Sequence, residues 1–116
     1  MKVDHIKNYT RGWLIGNFEP SLHNTKDFEI AVLEHKKDEE WPRHYHSLAD
    51  EYNCLVQGRL EVTLYNDDLN VISTRTFESG DIFVIEKGEI IKPKFVEDCR
   101  VITIKIPSVV GDKYVV

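Results

Sequence analysis

The chain has 116 residues, 15 Lys+Arg against 20 Asp+Glu for a net charge of −5, and 41% hydrophobic residues. That size suits one domain around one core, and the ordinary apolar fraction excludes a disordered chain. No apolar run approaches the about 18 residues of a transmembrane helix, the first residues lack the apolar stretch of a signal peptide, and an acidic chain without a basic cluster is not built for nucleic acid.

In chain order, residues 1–11 read as a polar lead-in. Short segments rich in Val, Ile, Thr, Tyr and Phe then predict strands at about 12–18, 28–35, 43–46, 51–57, 59–65, 70–77, 82–86, 89–96 and 99–106. Turn signals separate them, among them Gln57-Gly58-Arg59, Asn66-Asp67-Asp68, Ser79-Gly80-Asp81 and Glu86-Lys87-Gly88-Glu89. Leu60, Val62 and Leu64 alternate with polar neighbours at period two, and Ile102, Ile104 and Ile106 alternate with Val101, Thr103 and Lys105. No segment keeps helical spacing over three turns; Ser47-Leu48-Ala49-Asp50 has a helix-capping start long enough for one turn. Many short strands in one small chain indicate an all-β sandwich or barrel with little or no helix. Residues 107–116 contain Pro107 and Gly111 and read as an arm over the domain or over a neighbouring subunit. Two cysteines, Cys54 and Cys99, with no export signal point to a reduced, cytoplasmic setting.

The chemistry concentrates in His44-Tyr45-His46-Ser47-Leu48-Ala49-Asp50-Glu51. Histidines at i and i+2 of a strand share a face, about 6.6 Å apart along the chain. Both can lean onto one ion, and Glu51, opening the next strand, can close the same face. Two imidazoles and a carboxylate form the facial set of non-haem iron sites, and Zn, Mn or Ni also fits. The alternative is a polar cluster lining a barrel and hydrogen-bonded internally without an ion. Asn53 and Gln57 share the strand parity of Glu51, as ligand-binding side chains or as polar filling.

The run His-x-His-x4-Glu-x6-Gly, occupied by His44, His46, Glu51 and Gly58, resembles the first motif of the cupin superfamily. Gly80-Asp81-Ile82-Phe83-Val84-Ile85-Glu86-Lys87-Gly88 resembles the second. The resemblance spans about residues 41–93 and implies a single cupin domain, a double-stranded β-helix or jelly roll with a metal inside the barrel. It departs in two places. The glycine that usually opens the first motif falls at Asp38, and the second motif's histidine, normally the fourth ligand, falls at Ile91. Glu89 and His35 are substitute donors by position, although His35 beside Lys36 and Lys37 reads as exposed.

Two functions follow as expectations. One is a small metal-dependent enzyme of oxygenase or isomerase type, with His44, His46 and Glu51 holding a divalent ion (Fe, Mn, Ni or Zn) beside a small polar substrate. The other is a non-catalytic barrel that binds a sugar or carboxylate without a tightly held metal, a reading favoured by Ile91. The resemblance also implies a homodimer, with the arm a candidate for pairing between subunits. Cys54 and Cys99 read as buried inert thiols, Trp13 and Trp41 as core or interface anchors, and Lys92 as pointing outward.

Overall fold

The computed structural model describes residues Met1–Val116. Two 3-10 turns, Ile6–Asn8 and Thr10–Gly12, precede eleven strands. These are β1 (Trp13–Gly16), β2 (His23–Asn24), β3 (Glu29–His35), β4 (His44–His46), β5 (Asp50–Gln57), β6 (Arg59–Tyr65), β7 (Val71–Glu78), β8 (Ile82–Ile85), β9 (Ile90–Phe95), β10 (Cys99–Ile106) and β11 (Lys113–Val115). The nine strands expected from alternation all form, within two residues at either end. β2 and β11 add to them, too short for a period to show.

The strands make two facing sheets, ordered β2-β1-β3-β10-β5-β8 and β11-β4-β9-β6-β7. This is a jelly roll, and the all-β expectation holds. No helix is long and apolar enough to cross a membrane. Residues 47–49 make a bend and not the single helical turn expected there. The arm returns to its own chain: β11 pairs antiparallel with β4, matching Lys113 to His46 and Val115 to His44.

Inside the six-stranded sheet the register sets residues in rows that change character along the barrel. Leu33, Val101 and Leu55 form one row; Ala31, Thr103, Asn53 and Phe83 form the next; Glu29, Lys105, Glu51 and Ile85 form the third. The apolar end is closed by Leu55, Leu60, Phe95, Cys99 and Val101, with Trp41, Val62, Phe77 and Phe83 packed against them. The polar end stays open.

Two backbone positions make this geometry possible. Gly58 turns β5 into β6 at φ +104°, and a Cβ there would meet the Asp98 carbonyl oxygen at 2.4 Å. Asp38, standing where the cupin motif usually has glycine, has φ 63°. Aspartate tolerates the left-handed region better than most residues, so the turn survives the exchange.

Candidate ligand-binding site

Between the sheets lies a cavity of about 1030 Å³, floored by the core and lined above it by His44, His46, Glu51, Asn53, Thr103 and Lys105. β4 is three residues long and reads buried, partly buried, buried. Alternation turns His44 and His46 inward and Tyr45 outward, where it stacks on Tyr114. The two inward rings lie edge to face with centroids 5.4 Å apart.

Each imidazole has a defined partner. His44 donates from Nδ1 to the Pro42 carbonyl at 2.7 Å, which leaves Nε2 unprotonated. Lys105 donates from Nζ to Nε2 of His46 at 3.2 Å. Burial pushes the His44 imidazole below its ordinary value, against the Pro42 hydrogen bond. Burial, then the Lys105 charge, lowers His46 to about 4, with Glu51 opposing. Both rings are neutral at pH 7.

Glu51 is oriented by a short relay. Thr103 donates from Oγ1 to Asn53 Oδ1 at 2.9 Å, and Asn53 Nδ2 donates to Glu51 Oε2 at 3.3 Å. Glu29 lies on the other side of Lys105, its carboxyl raised by burial. The bend that carries His46 of one sheet into Glu51 of the other is held from the arm. The carboxylate of Asp112, 6% exposed, accepts the amides of Ser47, Leu48 and Ala49 at 3.0–3.1 Å.

The expected residues thus divide. His44, His46, Glu51 and Asn53 come together in the cavity; Gln57 does not. Strand parity fails between Asn53 and Gln57 because the register with β10 slips there. Leu55 faces Val101 and Gln57 faces Arg100, so Val56 bulges out and Gln57 emerges exposed past the closed end.

Neither proposed fourth donor joins this group, although His35 lines the same cavity. Glu89 accepts the Glu86 amide in a turn at 2.8 Å. His35, expected to be exposed, has a side chain only 12% exposed, stacks on Phe95 and binds Glu39. Ile91 is buried, pairs with His44 and walls the cavity.

As arranged, the donors do not fit a metal ion: no group of three His, Cys, Asp or Glu side chains in the chain could hold one. The His46 lone pair meets an ammonium, and Asn53 donates to one oxygen of Glu51.

Lys105 and Asp112 were missed from sequence. Lys105 has the parity of Val101 and Thr103, and the alternation of β10 would have found it had that face been taken as the inner one. Asp112 carried no signal, because its partners are amides 63 to 65 residues away.

No family model matches the chain, and no curated protein matches it. Solved structures do. A cupin-2 domain protein from Shewanella frigidimarina is 24% identical over 71% of this chain and 72% of its own, with a TM-score of 0.58. KdgF from Halomonas sp. is 24% identical over 73% and 74%, with a TM-score of 0.63. A protein with a double-stranded β-helix domain from Klebsiella pneumoniae is 17% identical over 78% and 76%, with a TM-score of 0.65. These likenesses show the fold, the double-stranded β-helix of the cupin proteins.

Proposed function

We propose that the chain is a small-molecule binding barrel, its cavity holding a compact polar ligand against His44, His46, Glu51 and Asn53 without a tightly held metal. One observation carries this reading: Lys105 places an ammonium on the His46 lone pair that an ion would need. Ile91 supports it by putting an apolar wall beside His44. The neutral imidazoles, the Glu51 carboxylate and the Asn53 amide offer fixed hydrogen-bond partners above an apolar floor, the usual composition of a ligand pocket.

A second reading keeps the divalent ion (Fe, Mn, Ni or Zn) at His44, His46 and Glu51. It is favoured by His44, whose Nδ1 is anchored on a backbone carbonyl with Nε2 free, the arrangement of a metal-ligating imidazole. Such an ion, when bound, would supply Lewis-acid polarisation of a ligand oxygen. It requires Lys105 to withdraw.

Elemental analysis and native mass spectrometry of the purified protein separate the two. The first reading expects no stoichiometric metal, no thermal stabilisation by equimolar Fe, Mn, Ni or Zn, and an organic ligand of small mass on the native chain. Stoichiometric metal that disappears in His46→Ala overturns it in favour of the second.

A further inference from the structure

Residues 1–12 form an arm that is folded on itself rather than on the barrel. Residues 1–8 are all exposed, and neither 3-10 turn buries a side chain. Asp4 accepts the His5 amide at 2.8 Å, the Asn8 side-chain amide at 2.7 Å and the Tyr9 hydroxyl at 2.6 Å. The amides of Asn8 and Tyr9 close on the carbonyls of His5 and Ile6 at 3.0 Å. No hydrogen bond links residues 1–9 to a strand.

The arm is fastened at its foot. Gly12 lies so close to β3 that a Cβ there would meet the Val32 carbonyl oxygen at 2.1 Å. Arg11 and Gly12 follow one another at φ 50° and 83°, both left-handed. Two such residues at the base of a segment with nothing buried make a pivot. β1 runs antiparallel to β3, with Trp13 opposite Ala31, so the arm leads back along β3 toward His35 and the loop after it. Ile6, Lys7 and Tyr9 of the arm line the same cavity as Glu34, Glu39 and Glu40 around that loop.

The charges on the two sides are opposite and in part unmet. Glu34 is paired with Arg100 and Glu39 with His35, whereas Glu40 and Lys7 enter no ion pair. Lys36 and Lys37 of the same loop stay out of the cavity lining, and Asp4 is taken up by its own three donors. Arg11 faces a different field. Burial, then Lys105 and then Arg11 lower the Lys113 ammonium from its ordinary value, so like charges hold Arg11 back at the pivot. Lys7 is therefore the cation of the arm that gains by moving over the cavity.

We propose that the arm is a lid: it swings about Arg11 and Gly12, sets Lys7 on Glu40, and carries Ile6 and Tyr9 across the cavity opening. Closure would shut bulk water out of a polar site, whichever reading of the barrel holds.

A water-soluble carbodiimide tests this without a ligand. It condenses an amine with a carboxylate in contact, takes up the water released, and leaves no spacer. Lys94 and Glu61, 3.9 Å apart on paired strands, are the internal standard. At low salt, peptide mapping of the native chain should find a Lys7–Glu40 amide within chains of 13.6 kDa. Its yield against the standard should fall about five-fold at about 1 M salt, the limit for an exposed ion pair once it is screened. Trp13 and Trp41 line the cavity and are the two tryptophans of the chain, so acrylamide quenching reads the opening. Lys7→Glu should raise the quenching constant, and Lys7→Glu combined with Glu40→Lys should return it to the wild-type value. A Lys94–Glu61 amide without the Lys7–Glu40 amide, Lys7 joined only to Asp4, or quenching that the charge swap does not restore overturns the lid. A Lys7–Glu40 amide found only in pairs of twice the chain mass also overturns it, because the arm then belongs on a second copy.

Discussion

Asp112 is the side chain on which the site's geometry most depends, and its removal has a calculable cost. Its carboxylate accepts the amides of Ser47, Leu48 and Ala49, between β4 and β5. In Asp112→Ala the three amides lose their acceptor together. Ala49 is 2% exposed, and its amide has no route to water. Leaving such a donor unpaired costs about 1–3 kcal/mol. Ser47 and Leu48 are exposed and regain water, so each loses only the net value of its bond, about 0.5–1.5 kcal/mol. The total is about 4 kcal/mol, a large part of the roughly 5–15 kcal/mol that holds a typical domain together. With a urea m-value of about 1.5 kcal/mol/M, the unfolding midpoint should fall by about 2.7 M. Asp112→Asn keeps one carbonyl acceptor and should fall between wild type and the alanine variant. Hydrogen exchange at the Ala49 amide should accelerate in Asp112→Ala before global unfolding does, because the bend opens locally. A midpoint within about 0.3 M of wild type, with the Ala49 amide still protected, would refute the clamp.

Two further outcomes follow from burial and charge. His46 is held neutral down to about 4, whereas an unfolded histidine protonates near 6.5. Between these values the unfolded chain binds the proton and the folded chain does not, so stability falls as the pH falls from about 6.5 to about 4. That loss should be on the order of 2 kcal/mol after screening by cavity water, and His46→Gln should flatten it in urea titrations at pH 7, 5.5 and 4.5; an unchanged acid limb refutes the assignment. Tyr52, Val56, Ile82, Val84 and Ile102 are exposed together on the outer face of the six-stranded sheet, a charge-free area on a chain of net charge −5. We propose that a second copy of the chain covers it: light scattering should give twice 13.6 kDa for wild type and 13.6 kDa for Ile82→Lys, and a wild-type monomer would refute the pairing.

The fold was legible because alternation and turn chemistry are local. β6 shows this: Leu60, Val62 and Leu64 point inward as their period requires, between Gly58 and the Asn66 turn. β10 shows the limit. Its more apolar face, Ile102, Ile104 and Ile106, points outward, and Val101, Thr103 and Lys105 line the cavity. A period of two says which residues share a face, never which face is the inside. Where an outer sheet surface is itself apolar, hydrophobicity alone selects the wrong one. The site followed the same division. His44, His46 and Glu51 were visible because they lie within eight residues, on two strands joined by one bend between the sheets, and Gln57 was misplaced because a single unpaired Val56 reverses parity without leaving a mark in the sequence.

Ile91 and Lys105 act on the same pair of imidazoles from opposite sheets, and their effects compound. Isoleucine at 91 removes a donor and leaves at most three. Lysine at 105 does more, because its ammonium is 3.2 Å from His46 Nε2 and would stand about as close to any ion ligated there. A dication and an ammonium about 4 Å apart repel by roughly 8 kcal/mol at an effective dielectric constant of 20, comparable to the whole binding free energy of a micromolar site. Ligation therefore requires the lysine to swing away or lose its proton, whereas an anionic ligand gains from the same charge. That asymmetry is why Lys105→Met discriminates between the two readings of the barrel. It should raise the affinity for Zn or Ni while weakening a carboxylate, and a variant in which both change in the same direction would show that Lys105 does not set the charge of the site.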